Sequence, residues 1–298
     1  MDNSIYFSKY EKYLKRVEDW LKQNFKVYEC PEKVIYESMH YSLMAGGKRI
    51  RPVLSLAVAE MLSGDLDTVL PFACAIEMIH NYSLIHDDLP CMDDDDFRRG
   101  KPTNHKVFGE AIAVLAGDGL LNMAFETLLK EVARSHENSH LKAKAALLIA
   151  EAAGIKGMIG GQVLDMESEN KTIGYDRLCD MHRKKTGALI KSSILAPAVL
   201  LGASSDTENA LKIYADKIGL AFQIKDDILD YEGNSEIVGK PTGSDEKNRK
   251  STFVTLLGME EAKKLLEATV RQAKKVIEPF NNAEFLIKTA YYIAERDK

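Results

Sequence analysis

The sequence predicts an all-α protein, and three observations support that prediction. Apolar residues recur at the three- and four-residue spacing of amphipathic helices through most of the chain. Runs of valine, isoleucine and threonine bounded by turn residues, which would indicate strands, are missing from the sequence. Hydrophobic residues make up 45% and charged residues 29% of the 298 positions, which is ordinary for a globular protein with a sizeable core.

The helices are predicted from their apolar spacing and their boundary residues. The first begins at Pro31, a residue type that favours the first helical turn, and ends at Gly46-Gly47. The second covers Leu66 to Asp88. Further helices are predicted over about 109–133, 139–158, 175–201, 206–231, 258–278 and 282–296. The length alone would allow two domains, but no change in composition marks a boundary, so we expect one domain over 1–298.

Charge, the start of the chain and the cysteines limit the classes of function. The net charge of −5 gives no general attraction to nucleic acid, so an anionic ligand has to be held by local basic clusters. We find no uninterrupted apolar stretch of about 18 residues, and the start of the chain lacks the apolar centre of a signal peptide, so no transmembrane segment is expected. The four cysteines lack metal-ligand spacing and are expected to be buried free thiols in a reducing cytoplasm.

Two loops concentrate charge, and each follows a helix that ends in carboxylates. The first covers 89–106, with the sequence LPCMDDDDFRRGKPTNHK, and the second covers 232–250, with the sequence EGNSEIVGKPTGSDEKNRK. The residues leading into them are alike, since Ile85-His86-Asp87-Asp88 compares with Ile224-Lys225-Asp226-Asp227. This is a short local similarity and not a repeat architecture.

The second acidic cluster is regular. Its members are Gln223, Asp226, Asp227 and Asp230, at offsets of 0, 3, 4 and 7 residues. These offsets place an amide and three carboxylates on one helical face. Like charges on one stripe destabilise an isolated helix by roughly several tenths of a kcal/mol per pair. We therefore expect a cation to lie against that face.

In the first acidic cluster, Asp87 and Asp88 end a helix, and Asp93 follows after the turn at Pro90. Carboxylate oxygens suit a hard ion such as Mg²⁺, which takes one or two protein carboxylates plus phosphate oxygens and keeps several waters. An acidic run by itself is often solvated surface. Two such sites, each ending an apolar helix beside basic residues, favour a metal site. A calcium loop is disfavoured because the Asp-x-Asp-x-Asp-Gly pattern is missing.

Basic clusters accompany both acidic sites. They are Lys48-Arg49-Ile50-Arg51, Arg98-Arg99-Gly100-Lys101, Arg183-Lys184-Lys185, Lys240 and Lys250. Each alone would more commonly be a solvated face, but their pairing with carboxylates indicates diphosphates bridged by metal. The sequence has neither a Gly-x-x-x-x-Gly-Lys-Ser/Thr loop nor a Gly-x-Ser-x-Gly elbow. The seven histidines are dispersed, and His86 and His182 show no sign of function.

These motifs resemble those of the trans-isoprenyl diphosphate synthases. Asp87-Asp88-Leu-Pro-Cys-Met-Asp93 looks like the first aspartate-rich motif of that family, and Phe222-Gln223-Ile-Lys-Asp226-Asp227-Ile-Leu-Asp230 looks like the second. Gly-Gly-Lys48-Arg-Ile-Arg51-Pro, Gly160-Gly161-Gln162 and Lys185-Thr186-Gly187 also match, in the expected order. The resemblance runs from about residue 30 to the C-terminal residues and is closest to the bacterial-type farnesyl diphosphate synthases. It implies a single-domain isoprenoid-synthase bundle of about ten helices around a deep central pocket, usually as a homodimer.

The resemblance also implies a role for each matching residue. Several Mg²⁺ ions, with Mn²⁺ as an alternative, would be held on the allylic diphosphate by Asp87, Asp88, Asp93, Asp226, Asp227 and Asp230. That leaving diphosphate would be contacted by Arg98, Lys185 and Lys240. Isopentenyl diphosphate would be bound by Lys48, Arg51, His80 and Arg99. Thr186 and Gln223 would face the reacting allylic carbon. Arg49 and Lys184 are not carried over, so a solvated face is expected for both.

The implied reaction joins isopentenyl diphosphate to dimethylallyl or geranyl diphosphate, giving farnesyl diphosphate and diphosphate. The allylic carbon–oxygen bond would ionise, the double bond of isopentenyl diphosphate would capture the cation, and loss of a proton would complete the step. Tyr82, five residues before Asp87, resembles a floor that stops growth at fifteen carbons, while Ser83 leaves room beneath the site. Five residues turn about 140° around a helix, so Tyr82 could instead be core, and geranylgeranyl diphosphate remains the alternative product.

Three rival functions belong to other classes. A non-catalytic regulatory subunit of a heterodimeric prenyl synthase would be expected to have lost aspartates from one motif, whereas both are intact. A terpene cyclase of related helical fold would more often carry one Asp-rich motif and an Asn/Ser/Glu metal site, which we do not find. A generic acidic binding protein would bind Mg²⁺ without needing a diphosphate.

Overall fold

The computed structural model describes residues 2–232 and 251–296, and these residues are almost entirely helical, as the sequence predicts. The helices are α1 (Asn3–Asn24), α2 (Lys33–Leu43), α3 (Ile50–Met61), α4 (Leu66–Asp87), α5 (Asn104–Phe108), α6 (Glu110–Ala133), α7 (Ser139–Ala153), α8 (Met158–Ser168), α9 (Tyr175–His182), α10 (Ala188–Leu200), α11 (Ser205–Glu232), α12 (Phe253–Leu257), α13 (Met259–Ile277) and α14 (Glu284–Glu295). A π-helical turn, Arg183–Gly187, joins α9 to α10. Within the described residues, the sheet is limited to the antiparallel pair β1 (Phe97–Arg98) and β2 (Lys101–Pro102).

Five of the described helices were not predicted: α5 and α12, which have only five residues each, and three longer helices, each missed for a physical reason. In α1 the buried positions Tyr6, Tyr13 and Val17 have helical spacing, but many charged residues between them hide the pattern. In α3 almost every residue is buried, so no polar face gives the sequence a period. The short α8 contains Gly160-Gly161, a pair that disfavours helix.

The core is built around α4. Its residues are buried on all sides along most of its length, and it packs against α3, α6 and α10. Helices hydrophobic all round belong in the interior of a protein. The buried apolar residues from α1 to α14 form one continuous cluster. The helix that ends at Asp87 is therefore held rigidly from several directions.

The cysteines correct one expectation. All four are free, but only Cys74 is buried, whereas Cys91 is exposed and Cys30 and Cys179 are half-buried. Cys74 packs in α4 as a small apolar side chain. The expectation of four buried thiols was therefore wrong for three of them.

Two stretches, Glu110–Ala133 and Ser139–Ser168, are long and apolar enough to cross a membrane by length and composition alone. Core helices of soluble proteins meet the same criterion. The second stretch is interrupted, because α7 ends at Ala153 and α8 begins only at Met158. Only 33% of the first and 28% of the second is buried within the chain. Much of their apolar surface therefore faces outward.

Candidate active site

A cavity of about 1280 Å³ is lined by residues of both acidic motifs. Asp87 and Asp93 lie on one side of it, from the end of α4 and the following loop, and Asp226, Asp227 and Asp230 come from α11. The sequence hypothesis required that Asp87 and Asp226 point into the same space. They do.

The chain turns sharply after α4, which brings Asp93 back towards Asp87. The turn is closed by a backbone hydrogen bond of 2.9 Å in which Asp93 N–H donates to the carbonyl of Asp87. Burial raises the pKa of Asp87, and the neighbouring carboxylates of Asp93 and Asp88 raise it further, against the opposing effect of Lys185 and Arg98. A carboxylate crowded in this way gains from a bound cation.

Asp88 does not line this cavity, although it was predicted alongside Asp87 as a metal ligand. It is buried, and both of its oxygens accept hydrogen bonds from Arg98 Nε at 2.7 and 2.8 Å. Arg98 lines the cavity, so the two residues form a pair in which the cation faces the cavity and the carboxylate lies behind it. The structure thus separates Asp88 from the other predicted aspartates, because successive residues of a helix end point in different directions.

The aspartates of α11 have additional partners. Although 42% of its side chain is open, Asp226 loses hydration inside the cavity and its pKa is raised by this desolvation, while Arg296 opposes the effect from 2.5 Å. Arg296 also lies over the ring of Phe222, at 4.1 Å from the ring centre. Asp227 accepts a hydrogen bond of 2.7 Å from the backbone N–H of Phe253, which ties α11 to α12. Arg296 was not selected from the sequence, because its partner Asp226 lies 70 residues away along the chain.

A basic patch also lines the cavity. It contains Arg51, His80 and Arg99, all three predicted from the sequence. The buried Nε of Arg51 has no hydrogen-bond partner among the described residues. Burial lowers the pKa of His80 well below its usual value, and the surrounding arginines lower it further, so the imidazole is neutral at pH 7. Lys48 is exposed beside this patch and lies near enough to Asp226 to lower its pKa.

The π-helical turn aims Lys185 and Thr186 into the cavity. Such turns are rare and are frequent at functional sites. Lys185 Nζ lies 2.6 Å from an oxygen of the largely buried Asp165 on α8. Burial alone would lower the pKa of Lys185, but Asp165 and Asp87 reverse the effect and raise it overall. Asp165 was not identified from the sequence, because its partner lies on a separate helix.

Gln223 and His182 complete this part of the wall. Gln223 lines the cavity as predicted, and its Nε2 donates to Asp226 at 3.3 Å. His182 also lines the cavity and stacks on Phe253, with ring centres 5.5 Å apart. Burial lowers its pKa to about 4. His182 and His86, for which the sequence predicts no role, therefore both belong to the cavity wall.

The two predicted chain-length residues also line the cavity. Tyr82 is buried, and its ring meets that of His86 edge to face at 5.6 Å. Burial raises the pKa of Tyr82 to about 12, so its hydroxyl stays protonated. Ser83 lies beside it and uses its hydroxyl to donate to the carbonyl of His80 at 2.9 Å. Tyr82 thus stands at the cavity wall as well as in the core.

Three further predictions concern basic residues. Lys240 falls outside the described residues. Lys184 is partly exposed and lies 2.9 Å from Asp180, in keeping with a surface residue. The prediction of a solvated face was wrong for Arg49. Its side chain is completely buried and forms ion pairs with Glu18 and Glu77, both at 2.9 Å. It was expected on a solvated face because three cations in four positions suggested one flexible basic loop.

The carboxylates fit a divalent metal that is shared with a ligand. Among residues 2–232 and 251–296, no three His, Cys, Asp or Glu side chains come together closely enough to hold an ion by themselves. Mg²⁺ needs only one or two protein carboxylates when phosphate oxygens complete its coordination. Aspartates spread over two walls of one cavity match that requirement.

Comparison with known proteins identifies the family. The family model for polyprenyl synthetases matches residues 32–284. A farnesyl diphosphate synthase of Bacillus subtilis is 45% identical over 288 residues, 95% of each chain. A chloroplastic geranylgeranyl pyrophosphate synthase of Capsicum annuum is 46% identical over 267 residues, 89% of this chain and 72% of that one.

The fold agrees with these relatives. The crystal structure of an FPP/GFPP synthase from Zymomonas mobilis is similar with a TM-score of 0.88 and 37% identity, covering 98% of this chain and 100% of that chain. The match of the family model over most of the sequence, together with the aspartates of both motifs on one cavity, shows that the chain belongs to the polyprenyl synthetase family.

Proposed function

We propose that this chain synthesises farnesyl diphosphate by joining isopentenyl diphosphate to dimethylallyl or geranyl diphosphate. The observation that carries the proposal is a single cavity that is lined both by aspartates of the two motifs and by a basic patch. Two diphosphates can occupy such a cavity side by side, one held through metal and one held directly. The identity to farnesyl diphosphate synthases supports the same activity.

The acidic part suits the allylic diphosphate. Family membership implies a divalent metal, and we propose several Mg²⁺ ions, with Mn²⁺ as an alternative, held by Asp87, Asp93, Asp226, Asp227 and Asp230. Bound there, the metal would supply positive charge that stabilises the departing diphosphate. Asp88 would act through Arg98, whose charge points towards the same diphosphate. Lys185 would add a further cation on that side, and Lys240 is proposed as a contact from the family resemblance alone.

The basic part suits isopentenyl diphosphate. The unpartnered Nε of Arg51 is a buried donor that an anion would satisfy, which makes it the clearest sign of a direct diphosphate contact. Arg99 and the neutral imidazole of His80 would add donors, and Lys48 would close the patch from its exposed side. No metal is needed here because the patch is itself cationic.

The chemistry requires that an allylic cation survive until it is captured. Thr186 and Gln223 would present their oxygens to the cation, and buried apolar residues would keep water away from it. The buried apolar residues that line the cavity are Met158, Ile173 and Met181. The released diphosphate would accept the proton that leaves after the new carbon–carbon bond forms. No protein nucleophile is involved.

Product length is proposed from Tyr82. Sequence identity alone does not distinguish farnesyl from geranylgeranyl diphosphate as the product, because synthases of both kinds match this chain at about the same level. A buried phenol on the wall below Asp87 favours a stop at fifteen carbons, with twenty carbons as the alternative. Ser83 would leave the space that the fifteen-carbon chain needs.

The remaining proposals concern the whole protein. One continuous apolar cluster supports a single domain over 1–298. Outward-facing apolar surfaces on α6 and α7 support a homodimer. A cytoplasmic location is in keeping with the free cysteines. The non-catalytic regulatory subunit is disfavoured because both aspartate motifs reach the cavity.

The decisive experiment is incubation with isopentenyl diphosphate and geranyl diphosphate, with and without Mg²⁺, followed by chromatography of the dephosphorylated products. We expect farnesol when Mg²⁺ is present and no product when it is chelated. Geranylgeraniol as the main product would replace the farnesyl assignment, and the lack of any condensation product would refute the function.

A further inference from the structure

We infer that a buried ion network centred on Arg49 positions the basic patch that receives isopentenyl diphosphate. The inference rests on the function proposed above and adds residues that the motifs do not assign. Arg49, Glu18 and Glu77 do not line the cavity. They would act through Lys48, Arg51 and His80, and are therefore positioning residues.

Three helices meet at the Arg49 side chain. Its Nε donates to Glu18 of α1 at 2.9 Å, its Nη1 donates to Glu77 of α4 at 2.9 Å, and its Nη2 donates to the carbonyl of Leu43 at the end of α2. Arg49 itself is the residue before α3. A planar guanidinium with five fixed donors is suited to such a junction, whereas a lysine is not.

The loop that carries Arg49 is strained and tied down at each end. Gly46, Gly47 and Arg49 all have positive φ, at 83°, 124° and 48°. A non-glycine residue in this region is held there by its surroundings. Arg99 Nη1 donates to the carbonyl of Gly46, and the hydroxyl of Tyr10 donates to the carbonyl of Lys48 at 2.5 Å. The inward-pointing Arg49 thus fixes the backbone that carries the exposed Lys48 and the cavity-lining Arg51.

Glu77 supplies the counter-charge from behind the patch. It lies one helical turn before His80 on α4, and it raises the pKa of both Arg51 and Arg99 against the larger lowering caused by burial. Asn81 holds the Glu77 carboxylate through a 3.3 Å hydrogen bond. Because this carboxylate sits behind the arginines, their donors on the cavity side stay available to a substrate anion.

Stability alone gives no reason for the network. Replacing a buried ion pair with apolar residues of similar size is often neutral or stabilising, whereas removing one partner is strongly destabilising. A network that joins α1, α3 and α4 directly behind the basic patch is explained by what it positions. The double substitution Arg49→Met/Glu77→Leu therefore separates the two roles, since it removes both charges and leaves no unpaired partner at the Arg49–Glu77 contact.

The test compares this double variant with wild type in steady-state kinetics, varying isopentenyl and geranyl diphosphate separately. We expect the KM for isopentenyl diphosphate to rise about tenfold, since a misplacement of about 1 Å costs up to 100-fold. The KM for geranyl diphosphate and the product length should stay within about twofold of wild type. The matched control is Arg16→Met, which breaks the surface pair with Asp67 between the same two helices, α1 and α4, and should change neither KM.

Two results would overturn the inference. One is a lowered melting temperature with both KM values unchanged, which would make the network purely structural. The other is an equal rise in both KM values, which would show general distortion of the cavity. If the double variant does not fold, Glu18→Gln carries the same comparison, because Glu18 is partly exposed and its loss leaves the Arg49–Glu77 pair intact. Wild-type protein that consumes no isopentenyl diphosphate would instead refute the proposed function itself.

Discussion

At the scale of single residues, neighbouring side chains in one motif have different surroundings. Asp87 faces the cavity, Asp88 is buried against Arg98, and Asp96 pairs with Lys106 at the surface. All three lie within ten residues of one another, in the stretch 87–96. Their different surroundings predict three different effects of removing the charge.

Asparagine substitutions at these three positions should therefore form a graded series. We expect Asp87→Asn to lower kcat on the order of 1000-fold, because it removes an oxygen ligand at the leaving diphosphate. Asp88→Asn should cost about 10- to 100-fold, as residues that orient a contacting group usually do. Asp96→Asn is the control and should match wild type. Initial rates at saturating Mg²⁺ give the measurement, and equal effects of Asp87→Asn and Asp96→Asn would contradict the assignment.

Tyr82 and Ser83 predict opposite changes in product length. Tyr82→Ala removes a buried ring from the cavity wall, so we expect a shift towards geranylgeranyl diphosphate. Ser83→Phe adds a ring beneath the site, so growth should stop at geranyl diphosphate. Chromatography of the dephosphorylated products after long incubation measures both shifts. Unchanged products in both variants would rule out this wall as the floor.

His182 predicts a pH dependence of stability. Its pKa is about 4 in the folded protein, against an ordinary value of 6.5, so only the unfolded chain binds this proton between those values. The free energy of unfolding should therefore fall as the pH drops below 6.5, by about 2 kcal/mol at pH 5. Urea unfolding of wild type and His182→Gln at pH 7.5 and pH 5 isolates the effect. An equal loss in the two proteins would show that His182 does not contribute.

The sequence predicted the site well wherever a residue's role follows from its motif. It predicted less well where the role depends on the direction in which the side chain points. Lys48, Arg49 and Arg51 look alike in the sequence, yet Arg49 points into the core. The direction is set by positive φ at Gly46, Gly47 and Arg49, and by Glu18 and Glu77 from other helices. The two glutamates lie outside the motif, and its letters do not show which way each side chain points. Asp165 and Arg296 were missed for the same reason, because their partners are distant in the chain.

At the scale of elements, the cavity wall depends on a close approach of α8 to the π-helical turn. A Cβ on Gly161 would lie 2.0 Å from the backbone nitrogen of Lys185. Backbone atoms cannot yield to such a contact, so only glycine allows α8 to approach this closely. The pairing of Lys185 with Asp165 depends on that approach.

Gly161→Ala should therefore separate the two elements. We expect a loss of about 1 to 3 kcal/mol in the free energy of unfolding, as overpacking usually causes, and a fall in kcat of about 100-fold as Lys185 moves. The matched control is Gly174→Ala, because a Cβ there meets nothing within 4 Å. Urea unfolding and initial rates of both variants give the comparison. Wild-type activity in Gly161→Ala would show that the approach does not matter for the site.

Element prediction succeeded where residues mark both ends of a helix and was incomplete elsewhere. The helix over 66–88 was predicted within a residue of α4, because boundary residues mark both ends. The predicted helix over 175–201 is a single run of helical signal, but the structure divides it at the π-helical turn. The extra residue of that turn is accommodated by packing against Gly161 and α11, which a local pattern does not contain.

At the scale of the whole molecule, α6 and α7 present apolar side chains outward. Leu115, Leu129 and Leu147 are 52%, 62% and 58% exposed. Large contiguous apolar surfaces on a folded chain usually mark an interface. Since α6 also packs directly against α4, which carries Asp87, a partner covering this face would stiffen the wall of the active site.

The homodimer can be tested by introducing a charge on this apolar face. A subunit has a mass of 33.3 kDa, so we expect twice that mass by light scattering at micromolar concentration. Leu129→Lys places a charge within the proposed interface, where desolvation of the ammonium costs several kcal/mol, and should shift the protein towards monomer. Ile5→Lys is the matched control, because Ile5 is equally exposed at 57% but lies on α1, away from the proposed interface, and it should leave the dimer intact. A wild-type mass of one subunit would refute the homodimer. Dissociation of the dimer by both substitutions would contradict the proposed interface on α6 and α7.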